Sequence, residues 1–411
     1  MKPEGCTVTE KEPPLRNVFG SLKKKGYFMT TERLYYQDAY QKEFDGTVLE
    51  CRRSQKGWEV RLDRTAFYPE GGGQPCDIGT LDQIPVEDVQ EKDGEIWHFV
   101  SEPVESGTPV HGKICWERRF DLMQQHSGEH IVSGLIHEKY GCDNIGFHMG
   151  PELITINFNG EIPPEGLEEI EQRANRYVWE NRPTEISWPS AAQLEKIPYR
   201  SKQELEGDVR IVTYPGADIC ACCGIHVAHS GEIGQIMLVS SQRAKGGTQV
   251  EMLCGRRALR FSNEMKTQNR KISVLLSAKL KETAQAVEKL NQEYQQTKFR
   301  LVGMELERFA SIAENLRGKG DQLIFQEDLA PDSVRKLAAG VMETCKGRCA
   351  VFSGKDGEGY RYAVGLENGD LREWTRRMNQ ALQGRGGGKP FFVQGSVQAT
   401  REEIEAFFRE N

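Results

Sequence analysis

No run of about 18 apolar residues, the length needed to cross a bilayer, occurs in the 411-residue chain. The opening stretch MKPEGCTVTEKEPPLRNVF also lacks the apolar core of a secretory signal, so a cytoplasmic location and no membrane partner are expected. A basic excess is missing too. The net charge of −7 gives no global attraction for nucleic acid, so RNA binding has to rest on local basic patches. The 11 cysteines are scattered and odd in number, which argues against a disulfide framework and for reduced thiols with a few metal ligands. Histidine is scarce, with 8 residues in all, so histidines at ligand spacing carry weight. There is no solenoid-period repeat and no low-complexity tract.

What is present fits a multidomain α+β protein. Hydrophobic residues make up 37% and charged residues 28%, a polar, globular balance in a chain long enough for two or three cores. Residues 1–28 read as a loose leader, with Pro13, Pro14 and the lysines Lys23, Lys24 and Lys25. Residues 29–115 read as a β-barrel-like domain: KEFDGTVLECRR and GWEVRLDRTAFYP are short strands, broken by GGGQP. Residues 116–263 read as an α+β domain. It opens with a helix over ERRFDLMQQHSGEHIVSGLIHEKYG, closed by Gly141 and with Asp121 near its start. Further helices are expected at 164–181 and 191–196, and strands at LITINFN and VRIVTYP.

Residues 264–317 have no proline and one internal glycine, Gly303. Leu276, Leu280, Thr283, Val287, Leu290, Tyr294, Thr297, Leu301 and Met304 recur at 3,4 spacing, a heptad-like seam that two threonines weaken. A helical hairpin, a helix packed on its own domain and an intermolecular coiled coil all remain open. Residues 318–411 alternate strands (DQLIFQ, RCAVFSGK, RYAVGL) with helices and end in LQGRGGGKPFFVQGS, which points to an α/β C-terminal domain.

The chemistry concentrates in two short segments. His126 and His130 are four apart on the proposed helix, which puts both imidazoles on one face with Cβ atoms about 5–6 Å apart. Cys222 and His226 are also four apart, in the turn-rich CACCGIHVAHSGEIG. One thiolate with three imidazoles suits tetrahedral Zn²⁺. Cys220, Cys223 and His229 lie close in sequence, and spacing selects Cys222. Glu129 sits between the helical histidines, but H-S-G-E-H places the carboxylate at another offset than H-E-x-x-H, so a metalloprotease is set aside. Glu129 reads instead as a solvent-facing group or one behind the ligands. The loop from Thr65 to Gln74 carries three consecutive glycines, which let main chain approach a ligand. It lacks the G-x4-G-K-S/T spacing of a triphosphate loop, and its end residues Thr65 and Gln74 are neutral hydrogen-bonding groups.

The segments LDRTAFYPEGGGQPCDIGTL, QQHSGEHIVSGLI, CCGIHVAHSGEIGQI and LQGRGGGKPFFVQGS occur in the order found in one family. The chain resembles the AlaX-type alanyl-tRNA editing proteins, free-standing relatives of the alanyl-tRNA synthetase editing domain, over nearly its whole length after the leader. The resemblance implies that His126, His130, Cys222 and His226 hold zinc, and that Thr65 reads the misacylated amino acid. It also implies a C-terminal domain concerned with tRNA binding and dimerisation. Where the family has C-G-G-T-H, this chain has Cys222-Cys223-Gly224-Ile225-His226, so a hydroxyl beside the site is replaced by isoleucine.

The expected activity is therefore trans-editing hydrolysis, in which water attacks the ester of mischarged tRNA(Ala). The expected amino acid is serine, with glycine as a second candidate. Thr65 and Gln74 are the expected catalytic-site residues, and a homodimer through the helical segment or the C-terminal domain is the expected assembly. Four protein ligands would close the zinc shell and make the ion an organiser. RNA contacts are expected from Arg118, Arg119, Arg256, Arg257, Arg385 and Lys389, with Arg376 and Arg377 as further candidates. A several-hundred-residue aminoacylation domain has no room, so charging of tRNA is not expected. The rival reading is a non-catalytic tRNA-binding protein with a structural zinc.

Overall fold

The computed structural model describes residues 30–55, 57–201 and 208–411; the expected leader at 1–28 lies outside the described residues. The chain divides into two compact units, Met1–Thr267 and Gln268–Asn411.

In the first unit, β1 (Glu32–Arg33) leads into the single turn α1 (Leu34–Gln37). Then follow β2 (Glu43–Ser54), β3 (Gly57–Leu62), β4 (Arg64–Thr65), β5 (Gly79–Leu81), β6 (Ile84–Lys92), β7 (Glu95–Val100) and β8 (Pro109–Ile114). Six of these close a barrel in the order β2-β3-β7-β6-β5-β8, with β8 returning to pair with β2. Closure leaves no open edge. Alternation sets which side chains fill it: Phe44 and Val48 point inward while Glu43 and Asp45 face water. Val60, Leu62, Phe67, Leu81, Val86, Val89 and Ile96 complete the barrel core.

The second half of this unit is built on α2 (Trp116–Tyr140). Every residue from Leu122 to Ile136 is buried, so the helix is interior and shows little two-faced patterning. Asp121, expected to favour the helix start, lies in the second turn and instead pairs with Arg257 at 2.7 Å. After α2 come β9 (Asn144–Met149), β10 (Ile154–Phe158), α3 (Pro164–Trp179), β11 (Glu185–Ser187) and α4 (Ala191–Leu194). The chain continues through β12 (Ile211–Tyr214), β13 (Asp218–Ala221), β14 (Ile236–Ala244), β15 (Gly247–Cys254) and α5 (Gly255–Leu275). One antiparallel sheet runs β14-β15-β10-β9 and a smaller one β11-β12-β13. Helix α2 packs on α3, β13 and β15.

The second unit holds α6 (Thr283–Asn315), β16 (Gln322–Gln326), α7 (Pro331–Cys345), β17 (Cys349–Lys355), β18 (Gly359–Gly365), α8 (Arg372–Ala381), β19 (Arg385–Lys389), β20 (Phe392–Val397) and α9 (Arg401–Glu410). Its sheet order is β16-β17-β18-β20-β19. Only β16 and β17, joined through α7, run parallel, and the other ladders are antiparallel. The expected α/β domain is thus mainly an antiparallel α+β sheet, because one crossover helix yields one parallel neighbour and hairpins yield the rest. The proposed helical stretch 264–317 is interrupted between α5 and α6. Leu276 and Leu280, the first two seam positions, fall in that connection, where Asn269 donates to the carbonyl of Leu280 at 2.8 Å. Along α6 the seam residues Val287, Leu290, Tyr294, Leu301 and Met304 remain exposed.

Candidate metal centre and its pocket

Helix periodicity delivers the first half of the centre. His126 and His130 are buried on α2 with ring centroids 5.2 Å apart. The second half comes from the loop after β13. Arg210 Nη1 donates to the carbonyls of Cys222 at 2.8 Å and Gly224 at 2.7 Å, and the Tyr36 hydroxyl donates to the carbonyl of Cys223 at 2.9 Å. Gly224 lies so close to His126 that a Cβ there would sit 2.2 Å from the imidazole. The loop thereby carries His226 to within 4.6 Å of the His126 ring and 4.8 Å of the His130 ring, centroid to centroid. One ligand atom from each of His126, His130, Cys222 and His226 falls within 4.8 Å of the others.

The surrounding hydrogen bonds leave the inward nitrogens available. His126 Nδ1 meets Gln74 Oε1 at 2.8 Å, and His130 Nδ1 meets Asp218 Oδ2 at 2.8 Å. Asp218 is itself held by Arg200 Nε at 2.8 Å. His226 Nδ1 meets the Tyr214 hydroxyl at 3.1 Å, while its Nε2 is buried without any partner. With each Nδ1 tied outward, three Nε2 atoms and one sulfur converge, the donor set and outer support that tetrahedral zinc uses. Burial pushes the Cys222 thiol up, but the neighbouring His126 and His130 outweigh it and hold the thiol well below its usual range. Burial likewise opposes the charge on His130, and the Cys222 thiolate with Asp218 raises it regardless. The residues present fit the ion. Among the neighbours that spacing leaves open, Cys223 is exposed, His229 pairs with Glu232, and Cys220 sits buried beside His130 and Asp218.

A cavity of about 410 Å³ opens over the cluster. Gly72, Gly73, His126, Glu129, His130, Phe147, Arg200, Ser201 and the segment Cys220–Cys223 line it. Phe147 stacks on His126 at 5.5 Å between centroids. Glu129 is a correction to the solvent-facing alternative: it is buried in the wall and accepts from Ser133 at 2.6 Å and Asn144 at 2.5 Å. Ile225 is fully buried and touches the site through its main chain, donating to Gln74 Oε1 at 3.2 Å.

Thr65 stands elsewhere. It is fully buried and does not line the cavity. His98 Nδ1 lies 3.0 Å from the carbonyl of Val60, which accepts its proton, so Nε2 accepts from the Thr65 hydroxyl at 2.8 Å. The Thr65 oxygen also accepts the Phe67 N–H at 3.1 Å. The Thr65 proton is held by His98 inside the barrel, and its oxygen keeps one acceptor lone pair beyond the Phe67 N–H. Burial keeps His98 neutral, with its pKa lowered to about 4.

The basic residues separate by exposure. Arg119 is fully buried: its Nε lies 2.9 Å from both oxygens of Asp77, and Nη1 donates to the carbonyl of Ala39 at 2.9 Å. Arg257 is mostly buried against Asp121 and the carbonyl of Gly150. These two are corrections to the expected RNA surface, because a guanidinium whose donors are spent inside cannot reach a phosphate. Arg118 is half-buried on the carbonyl of Cys76. Arg256 is exposed beside Glu117, and Arg385 and Lys389 are exposed on β19. Arg376 faces Glu373, and Arg377 meets Asn411. The outer residues Asp218, Tyr214, Arg200 and Arg210 escape sequence reasoning. Nothing in their spacing marks them, since each comes from a strand or loop remote from the helical ligands.

Comparison with known proteins follows the same layout. Residues 20–118 match the family model described as tRNA synthetases class II (A), 209–249 match the Threonyl and Alanyl tRNA synthetase second additional domain, and 319–410 match the DHHA1 domain. The chain is 29% identical over 399 residues to the alanyl-tRNA editing protein Aarsd1 of Danio rerio, covering 91% of this chain and 96% of that one. It is 29% identical over 407 residues to the alanyl-tRNA editing protein AlaX-L of Pyrococcus horikoshii, with the same coverage of 91% and 96%. An alanine–tRNA ligase of Pyrococcus furiosus is 30% identical over 398 residues, which take in 92% of this chain and 43% of the ligase.

Proposed function

We propose, from the premise that this chain belongs with the AlaX-type alanyl-tRNA editing proteins, that it hydrolyses the aminoacyl ester of mischarged tRNA(Ala), with serine as the amino acid removed. One observation carries the reading: a four-ligand cluster at the floor of a cavity of about 410 Å³ whose other wall is the glycine turn. That volume lies within the range of small-ligand sites, and Gly72 and Gly73 put no side chain on their part of the wall.

An aminoacyl ester is already activated, so the protein has to hold the terminal nucleoside, place a water at the carbonyl and stabilise the charge that develops. Bound zinc would supply orientation and polarisation, and its four protein ligands favour the organising part. Glu129 and Arg200 bring one negative and one positive group to the same cavity. Both are already engaged, Glu129 with Ser133 and Asn144 and Arg200 with Asp218, so they set the polarity of the wall. Serine selectivity requires a partner for its hydroxyl that alanine leaves unpaired. With Thr65 engaged by His98, that partner is sought in the cavity wall. Arg256, Arg385 and Lys389 are the exposed cations offered for phosphate contact.

The test is hydrolysis of Ser-, Gly- and Ala-tRNA(Ala) by purified protein, metal-replete and chelated. The expected result is loss of the seryl ester, sparing of the alanyl ester and dependence on metal. Full occupancy of zinc by protein ligands also suits the rival, a tRNA-binding protein with structural zinc. An unchanged ester half-life together with salt-dependent tRNA binding would decide for that rival.

A further inference from the structure

A cavity of about 410 Å³ takes an aminoacyl nucleoside and not the nucleotides before it, so the rest of a bound acceptor end has to leave across the rim. Cys223 is a rim residue, exposed at the surface while it lines the cavity. Its carbonyl accepts from the Tyr36 hydroxyl at 2.9 Å. The Tyr36 ring meets the Trp188 ring edge-on, with centroids 5.7 Å apart and planes at 75°. One hydrogen bond and one ring contact therefore lead from the cavity wall to an indole that is 52% exposed. That path is comparable to a few stacked nucleotides at about 3.4 Å each.

The indole is fixed without being covered. Trp188 directly follows β11, which pairs with β12 on one side and forms the edge of its sheet. Pro189 comes next and restricts the backbone of the residue before it. Tyr36 is itself pinned, by its hydroxyl, by the Tyr35 ring at 4.6 Å and by the Arg210 guanidinium 5.2 Å from its centroid. Arg210 is buried, spends Nη1 on the carbonyls of Cys222 and Gly224, and has no carboxylate in ion-pair reach among the described residues. A cation without an acidic partner thus lies under this rim, which favours an anionic chain passing over it. An open aromatic face beside such a path suits a nucleic-acid base, because every base has a π-face and stacking needs no hydrogen-bond readout.

We propose that the open face of Trp188 stacks a cytosine of the CCA sequence that ends tRNA, holding the acceptor strand while the ester lies in the cavity. The assignment rests on the reading that this cavity receives the aminoacyl end. Trp188 binds substrate away from the reacting atoms, so it acts on KM and leaves kcat to the cavity. It carries no charge, so it adds nothing to the salt dependence that phosphate contacts set.

Trp188→Ala, Trp188→Leu and Trp188→Phe are compared with wild type on four probes: Ser-tRNA(Ala), 3′-O-seryl adenosine, which lacks the cytidines, uncharged tRNA(Ala) and the trinucleotide CCA. Removing the ring lowers the ratio of kcat/KM on Ser-tRNA(Ala) to that on seryl adenosine by about 5–100-fold, the worth of one stacked base. The loss falls on KM, Trp188→Leu shares it, and Trp188→Phe recovers most of it. Uncharged tRNA(Ala) binds more weakly by a similar factor with an unchanged salt slope. The trinucleotide quenches tryptophan fluorescence in wild type, and the quenched fraction drops in Trp188→Phe. A ratio within twofold of wild type for Trp188→Ala and Trp188→Leu overturns the proposal. So does a loss that Trp188→Phe fails to recover, or one accompanied by a shallower salt slope. Should Trp188→Ala lose its fold, Trp188→Leu and Trp188→Phe decide in its place. If wild type leaves the ester intact while tRNA binding still weakens without the ring, only the hydrolytic reading falls. An intact ester with unweakened binding sinks both.

Discussion

Replacing Arg119 by methionine separates a structural cation from an RNA contact. Arg119 sits at the start of α2 and ties it to the barrel half through Asp77, the carbonyl of Ala66 at 2.5 Å and the carbonyl of Ala39 at 2.9 Å. Both partners of the ion pair are sealed from water, with side-chain exposures of 0% and 1%. Methionine preserves most of the volume and leaves the Asp77 carboxylate with the Tyr68 N–H, at 2.6 Å, as a remaining donor. Stranding one member of a buried pair costs about 3–5 kcal/mol. For a unit ending at Thr267, that corresponds to a melting temperature lower by roughly 6–20 °C, taking about 2–4 °C per kcal/mol for domains of this size. Adding Asp77→Asn removes the stranded charge, so the double variant should recover part of the loss, a positive coupling of at least about 1 kcal/mol. Urea and thermal unfolding of the four proteins give the cycle, and tRNA filter binding between 50 and 200 mM salt gives the second readout. Deleting a cation that neutralises one phosphate lowers the salt slope by about 0.7–0.9. Arg119→Met should leave that slope alone, whereas Arg385→Ala with Lys389→Ala should reduce it. Unchanged stability for Arg119→Met, together with a shallower slope, would return Arg119 to the RNA surface and refute the structural reading.

Further outcomes follow from the same geometry. His98 titrates near 6.5 when unfolded and is lowered to about 4 in the barrel, so between these values the unfolded chain holds more protons and stability falls as pH drops. The loss amounts to about 3 kcal/mol by pH 4, and urea unfolding against pH should show it in wild type and not in His98→Gln. Thr65→Val leaves His98 Nε2 unpaired in the core and should cost about 1–3 kcal/mol with the Ser/Ala rate ratio unchanged. A narrowed ratio at full stability would restore Thr65 as the serine reader. At neutral pH zinc binding should release about one proton, because ligation requires neutral imidazole and His130 is raised in the metal-free cluster. Calorimetry in buffers of different ionisation enthalpy measures this, and zero release counts against the thiolate–imidazolium pair. On α6 the exposed Val287, Leu290, Tyr294, Leu301 and Met304 are joined by flanking Glu293, Lys298, Arg300 and Glu305. In a parallel, in-register pair Glu293 meets Lys298 and Arg300 meets Glu305 across the seam. Leu290→Glu should convert a dimer to monomer in sedimentation, and a wild-type monomer at micromolar concentration would exclude this contact.

What could be read from sequence tracks how locally each feature is encoded. Two histidines four apart on one helix, and a cysteine and histidine four apart in one loop, carry their spacing in the chain itself, and the structure brings these four together. The residues that orient them do not. Gln74 lies 52 positions from His126, and Asp218 lies 88 positions from His130, so their pairing exists only once the barrel and the small β11-β12-β13 sheet have docked on α2. Residue type misleads where burial inverts its meaning. Arg119 looks identical to a surface arginine in composition, and only its place three and four residues before the buried Leu122 and Met123 puts it on the inner face. Thr65, a hydroxyl beside the glycine loop, donates to His98 within the barrel, a partner that its place in the linear chain does not announce. Gln74 shows the converse. In the linear chain it is the polar end of a glycine-rich loop, yet it is fully buried, with one end of its amide holding His126 and Ile225 and the other end unsatisfied.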